Sequence, residues 1–275
     1  MPKTLINVEA LSCQAGAQYL LHDINWEIKE GENWVVFGRN GCGKTTLLSI
    51  IAGYKAFSNG KLMVFGEQYT EENILDLRKK IGWISSSFFD KFYHSERVLD
   101  IVLSGLYGTL GTNFAISNND IKKAKSLLRE VGLERKIVST YDMLSKGERQ
   151  QVLIARAFMS NPEILILDEP GTGLDAMARA KLLETLRELA ERSNKTMIFV
   201  THYPEEILPP FDHCVLLRDG VIYKTGATEE LFVSEIMSDF FEYPVEIKKE
   251  DELYTFKIES ITAQNLLVEG GFDYE

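Results

Sequence analysis

The chain has 275 residues, 45% of them hydrophobic and 26% charged, with a formal net charge of −11. That length and apolar content suit one large or two small packed domains and exclude a disordered chain, while the acidic total argues against a general nucleic-acid-binding surface. No apolar stretch approaches the roughly 20 residues a bilayer-spanning helix needs, the start lacks a basic region followed by an apolar one, and the three cysteines (Cys13, Cys42, Cys214) share no metal-ligand spacing, so the expectation is a cytoplasmic protein with free thiols.

In chain order, residues 5–8 and 22–28 read as strands, the second alternating Ile24, Trp26 and Ile28 before the turn signal Lys29-Glu30-Gly31. An apolar strand at 34–37 runs into a glycine-rich loop, followed by a helix over 45–53 and, after Ser58-Asn59-Gly60, a strand at 61–65. A mainly helical stretch covers about 95–160; within it Ile121, Ala124, Leu127, Leu128 and Val131 recur at helical spacing and predict one buried face. Apolar strands return at 164–167 and 197–200, and helices alternating with such runs predict an α/β fold with a parallel sheet. Between Asp239 and Glu275 there are ten acidic and three basic residues, so a boundary is expected near 240. Beyond it, runs at 245–247, 253–258 and 266–268 suggest a small β appendage.

Gly38-Arg39-Asn40-Gly41-Cys42-Gly43-Lys44-Thr45 fits G-x-x-x-x-G-K-[ST] between an apolar strand and a helix. Glycines let backbone N–H groups curl around phosphates, Lys44 can reach the β and γ phosphates, the Thr45 hydroxyl can bind Mg²⁺, and Thr46 follows in the same helix start. Cys42, among the amides and beside Lys44, is expected to have a lowered thiol pKa, although an inert loop position is the simpler reading. The strand at 164–167 ends in Asp168 and Glu169, which delivers two acids to a sheet edge: Asp168 to hold Mg²⁺ and Glu169 to orient or deprotonate a water attacking the γ phosphate. Leu144-Ser145-Lys146-Gly147-Glu148 precedes a helix, and by itself Ser145 with Glu148 reads as a capping box.

Placed some twenty residues before Asp168-Glu169, that segment resembles the signature sequence of ABC ATPases. Gly173-Leu174-Asp175 resembles the family's D-loop, and His202, after the strand at 197–200, its switch histidine. Tyr19, 25 residues before Lys44, falls where the family's adenine-stacking aromatic lies. The resemblance covers roughly residues 4–230. It implies a P-loop NTPase core with a mixed sheet, an N-terminal antiparallel β subdomain and a helical subdomain at about 85–160, giving a domain over 1–240 and an acidic appendage over 241–275. It further implies a head-to-tail homodimer in which Lys44 and Thr45 of one chain and Ser145 and Gly147 of the other grip one ATP. Asp175 would lie close by, and His202 would reach the γ phosphate. Three positions depart from the family pattern: Ser86 stands where a Mg²⁺-contacting glutamine is usual, with Ser85 and Ser87 as substitutes or all three as a polar turn after the strand, Lys146 where glycine is common, and Glu148 where glutamine is common. The serine and the Ser-x-Gly-Glu pattern are most similar to molybdate-type and photorepair-protein-like ATPases.

The leading functional expectation is the ATP-hydrolysing subunit of a transporter, peripheral on the inner face of the cell membrane through a separate permease. The alternative is a soluble ATPase acting mechanically on a nucleic acid or protein assembly. A sensor with negligible turnover is disfavoured by the presence of Glu169 and His202.

Overall fold

The computed structural model describes residues 2–111, 115–192 and 195–258. The elements β1 (Thr4–Ala15), β2 (Gln18–Lys29), β3 (Asn33–Phe37), α1 (Lys44–Ile51), β4 (Asn59–Val64), α2 (Ile74–Lys79) and β5 (Ile81–Ile84) open the chain. Four helices follow: α3 (Ser86–Phe89), α4 (Val98–Ser104), α5 (Asn118–Glu130) and α6 (Lys146–Phe158). Then come β6 (Ile164–Asp168), α7 (Ala176–Arg192), β7 (Thr196–Thr201), β8 (His213–Arg218), β9 (Val221–Ala227), α8 (Thr228–Leu231), α9 (Ser234–Phe241), β10 (Val245–Glu250) and β11 (Leu253–Ile258).

The main sheet has the order β5-β6-β7-β3-β8-β9, parallel throughout except for β9. Every residue of β5, β6 and β7 is buried, which is why these strands read as unbroken apolar runs rather than as alternations: a parallel sheet is covered on both faces. β1, β2 and β4 form a separate antiparallel sheet in the order β2-β1-β4. β1 and β2 are each 12 residues long, longer than the sequence suggests, because the partly exposed ends carry polar residues that break the alternation while the ladder continues through several bulges.

Residues 86–158 form the helical block. In α5 the capping box of Ser117 and Asp120 fixes the start, and Ala124 and Leu128 are the buried positions. At the C-terminal side the expected boundary at 240–241 coincides with the end of α9. The hairpin β10-β11 that follows is tied to α9 by Ser238 and Ser234, whose hydroxyls accept hydrogen bonds from the Val245 and Ile247 amides at 3.0 and 2.9 Å. Phe232, Phe240 and Phe241 surround Phe37 of β3, while Tyr254 and Phe256 of the hairpin pack on Phe232 and Phe241. The appendage therefore shares the core of the main sheet. The strand expected at 266–268 lies outside the described residues.

Candidate functional site

Four neighbouring strands, β5, β6, β7 and β3, end at one edge of the sheet, and each is followed by residues that carry chemistry. Brought together there are Ser85, Asp168 with Glu169, His202, and the loop 38–45.

The loop after β3 needs glycine at two places. Gly43, the N-cap of α1, has φ +108°, and a Cβ on it would meet the Leu20 carbonyl oxygen at 2.9 Å. A Cβ on Gly38 would lie 2.3 Å from the Leu217 carbonyl oxygen. Lys44 is buried, and its Nζ donates to the Gly38 and Arg39 carbonyls at 2.8 and 3.0 Å while lying 3.2 Å from Glu169 Oε1. Asn40 and Gly41 are exposed, and Thr45 and Thr46 are half-buried in the first turn of α1. Cys42 corrects the expectation made for it. Its side chain is buried, and burial pushes the thiol up by more than Lys44 and the backbone amides pull it down.

Glu169 holds a left-handed backbone at φ +49°, a conformation that costs a residue with a Cβ on the order of 1–3 kcal/mol and clusters at functional sites. The turn leaves its amide on the Val200 carbonyl at 3.1 Å and sets Oε1 between Lys44 Nζ and His202 Nδ1, the latter at 3.3 Å. One carboxylate oxygen thus faces Lys44 and His202 together.

Asp168 is buried, and its carboxyl is pushed up to about 6 by burial first, with the Ser85 and Thr45 hydroxyls acting against that, Glu169 adding to it and Lys44 opposing. Ser85, fully buried, donates to Asp168 Oδ2 at 2.7 Å. Asp168 Oδ1 is buried with no hydrogen-bond partner among the described residues. An orphaned carboxylate oxygen beside two hydroxyls is an all-oxygen donor set, and such sets suit Mg²⁺. The metal expectation for Ser86 is corrected here. Its hydroxyl donates to Gln150 Oε1 of α6 at 2.7 Å, and the serine that reaches Asp168 is its neighbour Ser85. The two residues stand at a strand end and a helix start, so a shift of one position turns the side chain from the carboxylate to the helical block.

Ser145 is exposed and is the N-cap of α6; it accepts from the Glu148 amide at 3.3 Å while Glu148 Oε2 accepts from the Ser145 amide at 2.8 Å. Glu148 also meets Lys136 at 3.2 Å, an ion pair that a neutral glutamine would not form. Among the described residues a Cβ on Gly147 would touch only Leu174, at an ordinary 3.5 Å, and none of them demands glycine there. The Lys146 stem packs against Gly173, where a Cβ would lie 2.9 Å from Lys146 Cδ. Ser86, Asp90, Lys146, Arg149, Asp168, Glu169 and Thr172 line one cleft between α6 and the acid pair. Asp175 caps α7 by accepting from the Ala178 amide at 2.9 Å. Tyr19 is 47% exposed, its ring perpendicular to that of His22 at 4.8 Å. Among the described residues no hydrogen bond or ion pair joins Tyr19, Ser145, Gly147 or Asp175 to Lys44 or Thr45.

Sequence reasoning put Ser86 first and Ser85 only as a substitute, although Ser85 is the first polar residue after a fully apolar strand, the same signal that marked Asp168. It missed Gln150, which offered no signal, since its contact depends on the tertiary approach of α6 to β5.

The family model described as ABC transporter matches residues 21–172. The chain is 38% identical over 94% of its length to the uncharacterized ABC transporter ATP-binding protein YlmA of Bacillus subtilis, 99% of which is covered. Among solved structures it is similar to cbiO1 from Clostridium perfringens, part of the ABC transporter complex cbiONQ, with a TM-score of 0.67, 27% identity and coverage of 86% of this chain and 94% of the other. It is also similar to an ATP-binding cassette in a dimeric, post-hydrolysis state bound to ADP and Pi, with a TM-score of 0.69, 26% identity and coverage of 81% and 98%.

Proposed function

Because the chain belongs to the ABC transporter family as an ATP-binding, ATP-hydrolysing protein, we propose that two copies close head-to-tail around two ATP molecules and drive a separate membrane permease from the cytoplasmic side. The observation that carries this reading is the meeting of Lys44, Glu169 and His202 around a single carboxylate oxygen, next to the orphaned oxygen of Asp168. The amides of the loop 38–45 and the start of α1 receive the phosphates, and Lys44 exchanges its carbonyl contacts for the β and γ oxygens. Thr45 and Asp168, with Ser85 behind it, are the residues that would hold Mg²⁺, which supplies charge neutralisation across the β and γ phosphates. Glu169 orients the water and takes its proton, and His202 donates to the γ phosphate. The Tyr19 ring offers a face for the adenine.

The second half of each site comes from the partner copy. Ser145 and Gly147 are exposed or half-buried at the start of a 13-residue helix, whose N–H groups favour an anion. The absence of any local steric demand for glycine at 147 fits a residue selected for what approaches it from outside. The similarity to a cassette solved as a dimer supports the sandwich, and the similarity to a component of a transporter complex supports the permease. No described helix is long and apolar enough to cross a membrane. Glu169→Gln tests the reading: the isosteric amide keeps the pocket while removing the base. The variant should bind ATP with Mg²⁺, lose turnover and elute as a dimer in size-exclusion chromatography. Normal hydrolysis by this variant would remove Glu169 from its role.

A further inference from the structure

Among the described residues the buried carboxylates are Asp168 and one other, Glu206, in the short turn Pro204–Glu206 after β7. An ionised side chain is costly to bury unless it is paired, and the partners of Glu206 come from both segments that carry the reacting groups. Oε2 accepts from the Thr201 hydroxyl at 2.5 Å, and that same hydroxyl accepts from the Tyr203 amide at 3.0 Å, so the backbone on either side of His202 is clamped to Glu206. Oε1 faces Arg179 Nε at 3.4 Å and abuts the loop that follows Glu169, where a Cβ on Gly171 would lie 3.0 Å from it. Arg179 stands one turn inside α7, its amide bonded to the Asp175 carbonyl at 2.9 Å, and its guanidinium covers the Tyr203 ring at 5.1 Å.

We infer that Glu206, bonded to Thr201 and facing the charge of Arg179, is a positioning residue for the hydrolytic step: it fixes the turn bearing His202 and the loop leading from Glu169 to Asp175 as one unit. The inference rests on the roles given above to Glu169 and His202. Glu206 makes no hydrogen bond or ion pair with either of them. It acts by keeping the histidine and the carboxylate at the 3.3 Å separation observed, and misplacement of reacting groups by about 1 Å can cost on the order of a hundredfold in rate. Because the loop 170–175 leads into the helix that Arg179 anchors, movement of His202 is also passed to Asp175.

The test uses the full chain and measures kcat, KM for ATP and Tm for Glu206→Ala, Glu206→Gln, Arg179→Met and the double variant Glu206→Gln/Arg179→Met, with Glu169→Gln in parallel. Glu206→Ala should lower kcat about tenfold or more with KM within about twofold. Glu206→Gln, which keeps an acceptor for Thr201 but loses the charge facing Arg179, should recover part of that loss. The double variant should be no slower than Arg179→Met alone, since both substitutions break one link. If Glu206→Ala does not fold, the glutamine and methionine variants decide. Folded Glu206 and Arg179 variants with parental kcat, beside an inactive Glu169→Gln, would overturn the positioning role alone. An active Glu169→Gln would overturn the underlying reading and this one with it. Losses of kcat and KM together, tracking Tm, would reduce Glu206 to a structural residue and also overturn the inference.

Discussion

Replacing Ser85 by alanine removes one hydroxyl from a buried carboxylate and should move the pH dependence of Mg²⁺ use. The Ser85 hydroxyl lies 2.7 Å from Asp168 Oδ2, with both residues out of solvent. A hydrogen bond to a charged group is worth about 1.5–3 kcal/mol, and about 1.4 kcal/mol is a tenfold change in an ionisation equilibrium. The Asp168 carboxyl, already pushed up to about 6 by burial, should therefore rise to ~7–8 in the variant. The sign follows from its being raised: the folded protein favours the protonated acid, so the ionised form that binds a cation is available only above the folded-state pKa. At pH 7 the parent is about 90% ionised and the variant on the order of 10–50%. Half-maximal turnover at pH 7 should then need about two- to tenfold more Mg²⁺, and the requirement should fall back toward the parent's at pH 8.5. Steady-state ATPase assays across Mg²⁺ titrations between pH 6 and 9 measure this. Ser86→Ala, whose hydroxyl serves Gln150, should leave the pH profile where it was. An acid limb that coincides for Ser85→Ala and the parent, or one displaced by Ser86→Ala instead, would refute the assignment.

Other consequences can be checked with fewer measurements. Ser145→Arg should bind nucleotide as a monomer yet fail to hydrolyse it, as equilibrium binding beside an ATPase assay would show; loss of binding by the monomer would contradict the cross-chain site. Glu148→Ala removes half of a capping box and should cost about 1 kcal/mol in urea unfolding. Truncation after Glu242 discards Val245 and Tyr254, both buried, each worth about 1.5–3 kcal/mol of apolar burial; it should lower Tm by roughly 10 °C while leaving measurable hydrolysis, since every group assigned to the chemistry precedes it. Cys42, buried and with its thiol pushed up, should react with iodoacetamide at neutral pH more slowly than a free thiol, by mass spectrometry of the labelled peptide.

The residues that sequence reasoning located best are those whose neighbours in the chain create their environment. β3, β6 and β7 are short and fully or almost fully buried, and polar residues stand at or just beyond their ends, so 34–37, 164–167 and 197–200 point directly to the loop with Lys44, to Asp168 with Glu169, and to His202. Legibility failed where a side chain's partner is remote. Ser85 and Ser86 differ by one position, yet one meets a residue 83 positions away and the other a residue 64 away. Glu206 reads as a surface acid in a Pro-Glu-Glu turn until Thr201, Gly171 and Arg179 surround it. The Cys42 expectation weighed the charge of Lys44 and left out desolvation, a term the sequence does not display. The C-terminal hairpin was marked as separate by its acidity, but composition reports its solvent face, whereas Tyr254 and Phe256 face inward.

The helical block has a topological consequence. Since β5 and β6 are parallel neighbours, the whole stretch 86–158 is one oversized crossover between adjacent strands, and its last helix, α6, is the return leg leading back to the start of β6. A return leg begins at the edge where the outgoing strand finished. The positive end of α6 is thus delivered to the catalytic rim by the route of the chain, whatever residues occupy 145–147. Those residues refine the fit, while the end of the helix that carries them is set by the order of the strands.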